Sequence, residues 1–107
     1  MMILSNTPEV SGYKTIESID IVTGNMVQSK HIGRDIMAGL KAIIGGEVAG
    51  YTEMLVEARE EALRRMITQA EHKGANAIVN VRFTTSAISA GMSELLVYGT
   101  AVVVEKI

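Results

Sequence analysis

His31 and Asp35 stand four residues apart, the spacing that sets two metal ligands on one face of a helix. Gly33 between them interrupts a continuous helix, and two ligands fall short of the three or four a metal needs unless symmetry supplies copies. Asp35 also suits an N-cap, where its carboxylate would accept from free backbone N–H groups. The other imidazole, His72, precedes Lys73 at the end of a helical pattern, where a cation favours the dipole and contacts free carbonyls. With no Cys, a thiolate site and a Cys nucleophile are both excluded, so any metal must use carboxylate, imidazole or thioether. Met37, Met54 and Met66 recur at core-facing helical positions; they read as gap-fillers, with a thioether copper site as the other reading. Five of the ten glycines fall within residues 33–50. That stretch has no Gly-Lys-Ser/Thr ending and no G-x-G-x-x-G, which leaves only a bare backbone nest at Gly45-Gly46 for an anion.

Composition narrows the classes further. The 107 residues suit one domain spanning 1–107, and 48% hydrophobic with 21% charged is ordinary globular usage. A net charge of −2 excludes a generally basic nucleic-acid binder. Tyr13, Tyr51, Phe83 and Tyr98 are the whole aromatic inventory, which leaves little to stack a flavin or a base. No apolar run is long enough to span a membrane. The first eight residues have no basic region and too short an apolar run for a signal peptide, so a cytoplasmic location is expected.

The elements that would hold these residues follow from periodicity. Residues 1–12 read as a lead-in with turns at Asn6-Thr7-Pro8 and Ser11-Gly12. A strand over 13–22, a turn at Thr23-Gly24-Asn25 and a returning strand over 26–32 would make a hairpin. Ile36, Met37, Leu40, Ile43 and Ile44 mark a helix that ends at Gly45-Gly46. A longer helix over 51–73 carries Met54, Ala58, Ala62, Met66 and Ala70 on one face, widened by Leu63 and Ile67. Glu60–Arg64 and Glu61–Arg65 are i,i+4 pairs on its wet side, and Gly74 is its C′ glycine. A strand over 77–85 would put Ala77, Val79, Val81 and Phe83 on one face. A loop over 85–93 leads to a last strand over 95–104, apolar on both faces. The expected fold is α+β, a two-layer β-β-α-α-β-β subunit with helices on one face of an antiparallel sheet. The second apolar face of the last strand calls for a cover, and another copy of the chain is the simplest one.

Several spaced blocks carry more than periodicity: Gly33-Arg34-Asp35-Ile36, Ala38-Gly39-Leu40, Gly45-Gly46-Glu47, Tyr51-Thr52, Glu57-Ala58-Arg59, Lys73-Gly74-Ala75-Asn76-Ala77-Ile78-Val79 and Tyr98-Gly99-Thr100-Ala101-Val102. In that order they resemble the YbjQ family of small bacterial and archaeal proteins, a family described by heavy-metal binding. The resemblance implies a dodecin-like subunit assembled into a ring-shaped homopentamer. It names no ligands that map onto this chain.

The charged members of those blocks are Arg34, Asp35, Glu47, Glu57 and Arg59. The carboxylates could act as general acids or bases. No Ser/His/Asp set or nucleophile elbow accompanies them, so the leading reading is ion pairs and caps that lock the corner between two helices at Gly45-Gly46-Glu47. That corner, with Glu57 and Arg59, is the candidate ligand-binding region, and His31 and Asp35 are the candidate metal ligands. The expected protein is a non-enzymatic homo-oligomer that binds a divalent metal or a small ligand and contacts neither nucleic acid nor membrane. The alternatives are a small enzyme using carboxylates at subunit junctions and a purely structural or interaction protein.

Overall fold

The computed structural model describes residues 1–29, 49–89 and 92–107. Across them the order is β1 (Ile3–Leu4), β2 (Tyr13–Ser29), α1 (Ala49–His72), β3 (Ala77–Ser89) and β4 (Met92–Lys106). The four strands form one sheet in the order β1-β3-β4-β2. β2 and β3 both run antiparallel to β4, whereas β1 lies parallel to β3, so the sheet is mixed rather than antiparallel throughout. The expected β-β-α-α-β-β order becomes β-β-α-β-β over the described residues. The expected helix over 36–44 lies outside them.

The expected hairpin at Thr23-Gly24-Asn25 does not exist: these residues sit inside the 17-residue strand β2, opposite Tyr98, Val97 and Leu96 of β4. Gly24 is there because α1 crosses over it. A Cβ at Gly24 would overlap the carbonyl oxygen of Ala62 and lie 2.7 Å from the amide nitrogen of Met66. Only hydrogen leaves room for helix backbone at that distance. The facing helix stripe is correspondingly small: Ala58, Ala62 and Ala70 are buried, with Met66 filling the space between turns. Ala62, Met66 and Ala70 close on Val22, Ile78, Val97 and Ala101 to make the main core. Thr23 N–H donates to Gln69 Oε1 at 2.8 Å, and Arg65 Nη1 donates to the Asn25 carbonyl at 2.7 Å, so helix side chains fasten the outer edge of β2.

The helix ends as expected. Gly74 has φ +84°, its N–H donates to the Glu71 carbonyl, and Ala75 N–H reaches back to Ala70. That pair of bonds is the Schellman arrangement, which satisfies two otherwise free carbonyls. Asn76 then replaces a missing strand residue: its side-chain amide donates to the Val104 carbonyl at 2.9 Å and accepts from Val104 N–H at 2.8 Å. The helix surface pairs differ slightly from expectation. Glu61 accepts from Arg65 at i+4, but also from Arg64 at i+3, both at 3.1 Å, which takes Arg64 away from Glu60.

The expected loop over 85–93 is largely strand, because β3 runs on to Ser89 and β4 starts at Met92. The expected face assignment of β3 fails at Asn80. This residue has φ +55°, and the register advances three residues on β3 against two on β4 between Val79 and Arg82. An extra residue of this kind flips every side chain after it. Val81 therefore packs with the helix-side core, although Ala77 and Val79 face the opposite side. Asn tolerates the left-handed conformation better than most residues.

β4 is apolar on both faces, as expected: Val97 and Ala101 face α1, while Val102 and Val104 join Ala77 and Val79 on the far side. The chain itself covers part of that far face, a contribution the sequence reading does not anticipate. Ile3 and Val10 of the lead-in and Tyr13 at the start of β2 pack there. Its middle stays open, with Ile21 69% and Tyr98 39% exposed.

Replacing Gly24 by Ala should destabilise the chain by about 2 kcal/mol or more, the range for overpacking against unyielding backbone, measured by urea denaturation. A variant as stable as the wild type would show that the helix does not approach this closely. A second expectation concerns the helix C-terminus. The hydrogen bond from Lys73 Nζ to Asp20 Oδ2, 3.1 Å, then the Ile21 N–H and the Lys73 charge, hold the Asp20 carboxyl below its ordinary value. A lowered folded-state value stabilises at pH above the unfolded value, and that contribution disappears as pH falls through the lowered one. Lys73→Met should raise the Asp20 midpoint in a carboxyl NMR titration, and an unchanged midpoint would remove the pairing.

Candidate functional site

Of the sequence-derived candidates, His31, Arg34, Asp35, Gly45, Gly46 and Glu47 lie outside the described residues, as does Met37. Glu57 and Arg59 are described. Both lie on α1 and are exposed, and Glu57 lines a cleft. His72 is exposed in the last turn of α1, the position expected for a dipole-satisfying cation.

The cleft lies between the first half of α1 and the far end of β2, where the two diverge beyond the Gly24 contact. It has a volume of about 420 Å³. Met26, Val27 and Gln28 form the strand wall; Met54, Glu57, Ala58, Glu60, Glu61 and Arg64 form the helix wall. Residues 54, 58 and 61 recur at helical spacing, and 26 and 28 at strand spacing, so each element turns one face into the gap.

The charges are not equivalent. Glu61 is tied to Arg64 and Arg65, which neutralise it locally. Glu57 and Glu60 have no ion pair among the described residues. Two carboxylates on consecutive turns therefore leave this side of the helix electronegative. The cleft also holds a buried polar group, the Gln28 Nε2 atom, which makes no hydrogen bond among the described residues. An unmade bond at a buried donor costs about 1–3 kcal/mol, so an acceptor oxygen entering the cleft would be favoured there.

These donors answer a metal in a limited way. Among the described residues, no three His, Cys, Asp or Glu gather as a metal site. A closed structural site is therefore not built from them. The carboxylates of Glu57 and Glu60 with the thioethers of Met26 and Met54 fit an open, incomplete set for a cation that accepts mixed oxygen and sulfur ligands. The sequence reading places Met54 toward the core and counts Glu57 among the candidate ligand-binding residues. It misses Met26 and Gln28, because a hairpin breaking at residues 23–25 hides that they share a face with Val22 and Gly24. The unbroken alternation of Val22, Gly24, Met26 and Gln28 is the signal that could reveal them.

Among the described residues no helix is long and apolar enough to cross a membrane. Across residues 2–105 the chain matches the model of the family described as "Putative heavy-metal-binding". It is 62% identical over 101 residues to a UPF0145 protein of Photobacterium profundum, covering 94% of this chain and 98% of that one. A UPF0145 protein of Dehalococcoides mccartyi is 57% identical over 104 residues, covering 97% and 100%. These names state no catalytic activity. A crystal structure from Pediococcus pentosaceus, of a protein with unknown function in the DUF74 family, superposes with a TM-score of 0.63 over 97% of this chain and 98% of that one. At 14% identity it shows a shared fold alone. With the match running over nearly its whole length, the chain belongs to the YbjQ family.

Proposed function

We propose that the chain is a non-catalytic binding subunit of a cytoplasmic homo-oligomer, with five copies as the family resemblance implies, and that it takes a cation at the cleft between α1 and β2. The observation that carries this reading is the composition of the cleft. The carboxylates of Glu57 and Glu60, which have no ion pair among the described residues, line it together with Met26 and Met54. The carboxylates attract the cation, the thioethers favour a soft or borderline one, and the missing ligands come from a neighbouring copy or from water. The description of the matching family, "Putative heavy-metal-binding", supports the same ligand class. Without a thiolate, affinity for soft ions should be modest.

Calorimetric titration of the untagged full chain with zinc, cadmium and silver ions tests this. Micromolar binding is expected, weakened about tenfold, or 1.4 kcal/mol, in the double variant Glu57→Gln, Glu60→Gln. Met54→Leu should weaken silver more than zinc. Wild-type affinity in the double variant overturns the assignment. Loss of binding in His31→Ala instead would move the site to the imidazole.

A further inference from the structure

α1 has a recess along each flank, and the two differ in charge. Glu57, Glu60 and Glu61 line the cleft beside β2. The recess on the other flank is a groove of about 370 Å³ between α1, β3 and the lead-in. Leu63 of α1, Val81 and Phe83 of β3 and Leu4 of β1 supply its apolar surface. Its lining charge, among the described residues, is Arg82.

The Asn80 bulge shapes this groove. With one extra residue, β3 turns Val81 toward the helix-side core, and alternation carries Phe83 to the same side. α1 packs mainly on β2, so it leaves Phe83 44% and Leu4 39% exposed.

Arg82 is fixed before any ligand arrives. Its Nη1 donates to the Asn6 carbonyl at 2.6 Å and to the Val81 carbonyl at 3.0 Å. These bonds use Nη1 alone. The N–H groups of Nε and Nη2, which form the fork that matches a carboxylate, have no acceptor among the described residues. Arg82 has no ion pair there either. Arg59 stands one helical turn before Leu63 on the same flank, and it too has no ion pair among the described residues. The two guanidiniums give this flank a positive charge in a chain whose net charge is −2.

We propose that the groove binds a small carboxylic acid with an apolar body. The carboxylate lies on the Nε–Nη2 side of Arg82, and the body lies along Leu4, Leu63, Val81 and Phe83. The site is separate from the cation cleft and does not depend on it. Each half of the groove selects one half of the ligand. A bare anion would leave the apolar walls wet. A neutral apolar ligand would take water from the guanidinium and return no acceptor. Because two carbonyls already hold Nη1, the side chain loses little freedom when the fork is filled.

Amide-resolved NMR of the full chain, titrated with sodium hexanoate, tests this. Shifts are expected at Asn6, Leu63, Val81 and Phe83, with a dissociation constant in the low millimolar range or tighter. Acetate and hexanol each keep one half of the ligand, and each should bind about tenfold more weakly or worse. Arg82→Gln should bring hexanoate down to the affinity of hexanol. If that variant releases the lead-in and unfolds, the comparison of hexanoate with hexanol on the wild type decides. Hexanoate that binds no tighter than hexanol, or whose shifts fall at Met26 and Met54 instead, overturns the assignment. So does the absence of any shift at about 10 mM hexanoate, which would leave the groove to another occupant such as a second copy.

Discussion

The structure depends on how closely α1 can lie on β2, and Gly24 sets that distance. A helix normally rides on a sheet through its side chains. Here the Ala62 carbonyl occupies the space a side chain would fill at position 24. The helix stripe is built to match, with alanines at 58, 62 and 70 and one flexible filler, Met66. The close approach brings Gln69 and Arg65 within reach of strand backbone, so the contact that packs the core also seals one sheet edge.

Two structural features follow from where that contact falls. It lies toward the middle of β2, so helix and strand separate beyond it and open the cleft at Met26, Gln28, Met54 and Glu57. It also draws α1 to the β2 side of the sheet. Among the described residues, the far half of β3 has no strand partner at its outer edge, and Phe83 there is exposed. A helix centred on β4 would bury Phe83 and close the cleft. The cleft and the open part of the β3 edge are thus two consequences of one off-centre docking.

Much of this was legible in the sequence. The helix over 51–73, its buried stripe and its Gly74 stop rest on local periodicity and backbone chemistry, which tertiary structure leaves intact. The two-sided β4 was legible for the same reason. β2 was not, because a glycine that admits a helix backbone and a glycine that makes a turn look identical without the partner, and Asn25 beside it completes a turn signature. The phase change in β3 depends on one left-handed residue, Asn80, which carries no periodic signal before the strand is paired. The β1 pairing and the far-face cover by Ile3, Val10 and Tyr13 are long-range contacts that no local pattern announces. For the site, Glu57 was visible as a candidate ligand-binding residue. Its strand-side companions were hidden by the misread hairpin.

The central claim is that α1 sits close enough to β2 for a helix side chain to hold strand backbone. Residue-resolved amide hydrogen exchange at Thr23 tests it most directly. This amide faces the outer edge of the sheet, where, among the described residues, its partner is the Gln69 side chain. The account predicts exchange slowed well below the rate of a free amide, and a return toward that rate in Gln69→Ala while the Val22 amide stays protected. A Thr23 amide that exchanges freely in the folded wild type would contradict the close docking on which the cleft and the open β3 edge both depend.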